Sequence, residues 1–131
     1  MISFRDLKSV SRGRLRDAQV LERDGRFDGA FYICGYAVEI ALKARASRTL
    51  KWSGFPETVS EFTGLQSFKT HNLEVLLRLS GTESKIKSRL FSDWSVVSLW
   101  NPESRYRKIG TTTKQDAIKM IASAKNLLRE L

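Results

Sequence analysis

What this chain has little of narrows its chemistry before any motif is read. It holds one cysteine, Cys34, and one histidine, His71, in 131 residues. A lone thiol cannot close an intramolecular disulfide, and its place on an apolar stretch marks it as a buried, inert group. One Cys and one His cannot build a zinc site of familiar ligand spacing, so neither a metal nor a cofactor is expected. No apolar run approaches the roughly 20 residues that span a bilayer, and the N-terminus MISFRDLKSV lacks a signal-peptide core. No membrane partner is expected, and the cytoplasm is the expected compartment. There is no Walker sequence, no G-x-G-x-x-G between a strand and a helix, and no nucleophile elbow. Acidic residues are also scarce, 14 against 23 Lys and Arg, which leaves a net charge of +9. Such a surplus favours phosphate polymers or an acidic partner.

What is present is helical periodicity. Phe4 to Arg23 places Leu7, Val10, Leu15, Ala18 and Leu21 on one broad side. On the other side Arg5, Arg12, Arg16 and Arg23 fall within about 20° of one direction at 3.6 residues per turn. That stripe is either a solvated face or a track for phosphates. Gly25 ends this helix, and Asp28 is the expected cap of the next, which runs to about Thr49. The run from Gly25 to Arg45, GRFDGAFYICGYAVEIALKAR, is apolar around most of its circumference, as a buried helix is. Glu39 and Lys43 lie inside it one turn apart, where they can form a structural ion pair.

Between Leu50 and Thr70 the helical period is lost. Gly54, Pro56 and Gly64 mark a long connection, and Trp52, Phe55, Phe62 and Phe68 predict that it packs onto the helices. Asn72 caps a short helix with Leu73, Leu76, Leu77 and Leu79 inward, stopped by Gly81. A further helix is expected from Thr82 to about Trp100, with a break near Asp93 and an apolar set of Ile86, Leu90, Phe91, Trp94, Val97 and Trp100. The segment NPESRYRKIGTTT is a second loop. The last helix, Lys114 to Leu131, has Thr113 as its cap and Ala117, Ile118, Ile121, Ala124 and Leu128 inward. With no strand alternation to compete, residues 1–131 read as one all-α domain, a four-helix bundle with an extra short helix. A helix-turn-helix DNA reader fits less well, because Lys85, Lys87 and Arg89 form no clear recognition face.

Taken in order, GRFDGAFYICGYAVEIALKA, THNLEVLL, SRYR and the closing helix DAIKMIASAKNLLREL resemble the HEPN domain (higher eukaryotes and prokaryotes nucleotide-binding) along essentially the whole chain. Val38, Glu39, Leu42, Lys43 and Ala44 match that family's VE-x-x-LKA core. His71, Leu73 and Leu76 match H-x-L-x-x-L, and Arg105 with Tyr106 match its Arg-Tyr pair. The resemblance implies an antiparallel, up-and-down four-helix bundle that commonly forms homodimers. It also implies ties to RNA cleavage, nucleotide or RNA binding, and toxin–antitoxin or antiphage systems, often with a separate nucleotidyltransferase protein as partner.

Ribonucleases of that family resemble one another in an Arg followed four to six residues later by His. There the imidazole moves a proton to or from a ribose oxygen while the guanidinium steadies the phosphorane charge. Here Gln66, Leu65 and Gly64 precede His71 at the relevant spacing, and no histidine follows Arg105. The motif is absent, so the sequence leans away from an enzyme. A nucleotide- or RNA-binding or partner-binding module is the expected function. Its candidate residues are Arg105, Tyr106, Arg107, Lys108 and Trp100, where cations beside aromatics can hold phosphate and stack a base, together with Arg12 and Arg16 on the first helix. The alternative is a metal-independent endoribonuclease toxin with His71 and Arg105 as its catalytic pair. In the bland version of the same pattern, Arg105 satisfies Glu39, and His71 is a helix-entry residue bonded to backbone or a carboxylate.

Overall fold

The computed structural model describes residues 1–131. The chain is all-helical: α1 (Phe4–Arg23), α2 (Phe27–Thr49), α3 (Leu73–Leu79), α4 (Glu83–Arg89), α5 (Phe91–Val97) and α6 (Lys114–Glu130), with 3-10 turns at Gln66–Phe68 and Pro102–Tyr106. No helix is long and apolar enough to cross a membrane.

Local chemistry explains where most of these helices start. Ser3 accepts from the Asp6 N–H at 3.1 Å and Asn72 from the Val75 N–H at 3.2 Å, each satisfying a free donor of a first turn. Thr113 and Asp116 form a reciprocal capping box at the head of α6. α1 stops at Asp24 and Gly25, whose φ of 77° strains any residue with a Cβ. The turn is so short that α2 doubles back along α1. The contacts follow that antiparallel register: Leu21 lies against Gly29, Ser11 Oγ donates to the Ala37 carbonyl at 2.7 Å, and the Arg48 guanidinium sits over the Phe4 ring.

α2 is buried around most of its circumference because α1, α3 and α6 pack on different sides of it. Small residues (Ala30, Gly35, Ala37, Ala41 and Ala44) let those neighbours come close. The main core joins Val38 and Leu42 of α2 to Leu76 and Leu77 of α3, Trp94 and Val97 of α5, and Met120 and Leu127 of α6. Each such leucine contributes about 1.5–3 kcal/mol by leaving water. A second, smaller cluster of Leu7, Ala44, Phe55 and Phe62 lies under the long connection. There the Ile2 and Phe55 backbones exchange hydrogen bonds of 3.0 and 2.8 Å. The aromatic residues of that connection thus pack onto the helices as expected.

Four expectations need correction. Asp28 does not cap α2; Arg26 holds the cap position, and the Asp28 carboxylate instead accepts the N–H groups of Gly110 and Thr112, at 2.7 and 2.9 Å. The helix expected from Thr82 to Trp100 is two helices, and the break falls at Leu90 (φ −129°, ψ 36°), not near Asp93. That kink lets Ile86 and Trp94 both reach the core and turns Phe91 outward, 65% exposed. On α6, Ile118 is 38% exposed while Met120 and Leu127 are buried, because α2 and α5 meet a side of the helix rotated from the expected one.

Candidate functional site

The chemistry gathers along one side of α2. Tyr32, Tyr36, Glu39 and Lys43 fall within about 60° of arc at 100° per residue. Glu39 is 3% exposed, and a carboxylate taken this far from water needs partners. It has two: Lys43 Nζ donates to Oε2 at 3.3 Å, and His71 donates through Nδ1 to Oε1 at 2.7 Å. An ionised carboxylate only accepts, so this bond places a hydrogen on Nδ1 and leaves Nε2 as the free ring nitrogen. The His71 side chain is itself 58% exposed. His71 enters here because it immediately precedes the Asn72 cap, so the start of α3 fixes its position against α2.

Two clefts meet at His71. One, of about 510 Å³, is lined by Ile40, Phe55 and Phe62 together with Lys43 and Lys69. The other, of about 400 Å³, lies between the start of α3 and the segment Ser98–Pro102. The aromatic residues continue the site toward the second loop. The Tyr36 ring stands edge-on to His71, Trp100 and Tyr32, with centroids 6.3, 5.0 and 5.2 Å away. Burial pushes the Tyr36 phenol up to about 12, with the Tyr32 hydroxyl and the Glu39 charge acting in the same direction. Trp100 presses on Gly35, where a Cβ would overlap the indole, and its Nε1–H donates to the Tyr32 carbonyl at 3.1 Å.

Beyond Trp100 the 3-10 turn Pro102–Tyr106 presents Arg105, whose guanidinium lies 4.6 Å from the Tyr106 ring centroid. The Tyr106 and Tyr32 hydroxyls raise its pKa above the ordinary arginine value. Tyr106 is 73% exposed, and Arg107 and Lys108 after it are also exposed. Asp28 anchors the far end of this loop, and those two backbone bonds hold its carboxyl below the usual range.

The structure therefore brings Glu39, Lys43 and His71 together, and separately Arg105 with Tyr106. Arg105 does not satisfy Glu39; Lys43 and His71 do, because His71 sits one residue from the α3 cap and reaches the carboxylate first. Trp100 is buried, so its indole is a wall of the site rather than a platform for a base. Arg12 and Arg16 are exposed on α1, as expected, but Arg12 lines a different groove, with Lys8, Lys125 and Arg129. Tyr32 and Tyr36 are the residues that sequence reasoning missed; their four-residue spacing in line with Glu39 was the available signal. Cys34 is buried and its thiol is pushed up to about 12, as an inert core group is. Compared with protein-family models, with curated proteins and with solved structures, the chain shows no match.

Proposed function

We propose that this protein is a HEPN-like module that binds RNA or a nucleotide through the Arg105 loop. In this reading its main helices form the antiparallel up-and-down bundle of that family and it works in the cytoplasm as a homodimer. It is then one half of a toxin–antitoxin or antiphage pair with a nucleotidyltransferase. The observation that carries the reading is the exposed Arg105–Tyr106 pair, a guanidinium held over a phenol ring with Arg107 and Lys108 beside it and no carboxylate engaging any of them. A cation at a ring face with further cations alongside is the arrangement that holds a phosphate and stacks a base. The test is fluorescence anisotropy of labelled single-stranded RNA at low salt. Wild type should bind, and Arg105→Ala and Tyr106→Ala should each weaken binding at least several-fold; unchanged binding in both variants refutes the assignment.

A second reading, a metal-independent endoribonuclease toxin, is favoured by one observation. The buried Glu39 orients His71 so that Nε2 is free at the junction of two clefts, which suits a general acid or base. Arg105 would supply the phosphorane contact. RNA cleavage in the presence of a chelator, abolished by His71→Ala and by Arg105→Ala, supports it. Cleavage at the wild-type rate by both variants removes it.

A further inference from the structure

A larger set of cations without ion-pair partners than the Arg105 loop carries lies elsewhere in the molecule. It lies at the other end of α1, where Lys8 stands near α2 and α6. On one side Lys8 and Arg48 both approach the Phe4 ring, at 5.4 and 5.7 Å from its centroid. On the other, Lys8 and Arg12 of α1 face Lys125 and Arg129 of α6 across a groove of about 250 Å³ that also includes Leu15 and Leu128. Each pair is four residues apart, which spaces the cations about 6 Å along its helix. Arg45, from α2, adds a guanidinium whose Nε is buried with no hydrogen-bond partner.

None of these six cations takes part in an ion pair, although acids are close in sequence. Asp6 is engaged with Ser3, Asp17 with Arg14, and Glu130 with Lys85. The like charges act on one another: burial, then Arg12, Arg48 and Arg45, lower the Lys8 ammonium from its ordinary value. A fold gains nothing from such a cluster. Like charges at this spacing destabilise the compact state, and a surface carboxylate at any nearby position would relieve them. The groove continues along α1 and α6 through Lys125 toward Arg23 and Ile118, where Glu22 is the one acid to line it.

We propose that the α1–α6 groove is a phosphate-chain site, and that the RNA backbone tracks along it between the Lys8–Arg12 and Lys125–Arg129 pairs. This rests on the reading of the protein as an RNA-binding module but names a surface distinct from Arg105 and Tyr106. It also gives the Arg12 stripe of α1 a partner from α6 that no sequence pattern contains. Free polyphosphate shares the same chemistry, so the test includes it as a separate probe.

The experiment measures anisotropy of a labelled single-stranded RNA with the full chain across a series of salt concentrations. The variants are Lys8→Gln with Arg12→Gln, Lys125→Gln with Arg129→Gln, and, as a control of equal charge, Arg78→Gln with Lys119→Gln, exposed cations of α3 and α6 that line no part of the groove. Each groove pair should flatten the slope of log affinity against log salt by about 1.4, at about 0.7 for each phosphate contact to a single strand, and the control should leave it unchanged. Without RNA, the groove variants should melt at a higher temperature than wild type at low salt, which loss of a structural contact would not produce. An unchanged slope in both groove pairs, or equal flattening in the control, overturns the proposal. If Arg105→Ala weakens binding and the groove pairs do not, the groove fails and the Arg105 reading stands; the reverse result keeps the groove and removes Arg105. If only tripolyphosphate raises the melting temperature of wild type, and RNA does not bind, the RNA backbone is the wrong source.

Discussion

Around Glu39 one buried carboxylate accepts from both Lys43 and His71, whereas around Lys8 a set of cations from α1, α2 and α6 meets no carboxylate at all. The first region is charge matched to its burial. Its partners cannot be removed singly without leaving a charge in a poor medium, and this ties α2 to the start of α3. The second region keeps its charges half in water, where each costs little, but their mutual repulsion opposes folding. A paired charge inside a fold is sufficiently explained by the fold. An unpaired set on its surface is not explained by the fold in this way, and the proposed RNA backbone would neutralise it.

The largest break in the paired region should come from Gly35→Ala. The new methyl overlaps the Trp100 indole, so the ring must leave its contacts with Tyr36 and the Tyr32 carbonyl. Overpacking of this kind should cost about 3 kcal/mol, read as a lowered denaturant midpoint with an unchanged slope. Glu39→Gln should cost about 2 kcal/mol, since it removes the ion pair to Lys43 and weakens the His71 bond while both partners can still reach water. A stability equal to wild type would show that the Glu39–His71 bond is not what holds α2 to the start of α3.

Asp28 sharpens the comparison through pH. The Gly110 and Thr112 N–H groups depress its carboxyl from 3.8, so their stabilisation is complete above that ordinary value and is lost as pH falls through the depressed one. The protection of the Gly110 and Thr112 amides, taken relative to intrinsic exchange at each pH, should therefore fall in acid below about pH 4, and in Asp28→Asn it should be lower at neutral pH and no longer vary with acid. In the unpaired region the expected effect is smallest and of opposite sign. Lys8→Gln should stabilise the free protein by roughly 0.5 kcal/mol at low salt, a gain that added salt erases. A loss of stability there would mean that Lys8 contributes packing over Phe4 rather than unrelieved charge.

Much of the framework was legible in the sequence because it is set by neighbours along the chain. The α1 bounds, the Asn72 and Thr113 caps and the Glu39–Lys43 pair all rest on groups within four residues of one another. The errors came where a choice between equivalent local patterns was made from outside. Ile118 and Met120 are both apolar on α6, and only the position of α2 and α5 decides which one is covered. The kink at Leu90 likewise depends on Ile86 and Trp94 both reaching a core built by other helices.

By itself, the sequence determined that this protein is helical, where its long helices begin and end, and that cations far outnumber acids, since periodicity, capping and composition are local or additive properties. Only the tertiary structure decided that His71 rather than Arg105 completes the Glu39 pair, that Trp100 is a buried wall, and that Lys8 and Arg12 face Lys125 and Arg129. Those outcomes depend on side chains that lie far apart in the chain and meet only when α1, α2, α3 and α6 close around one core.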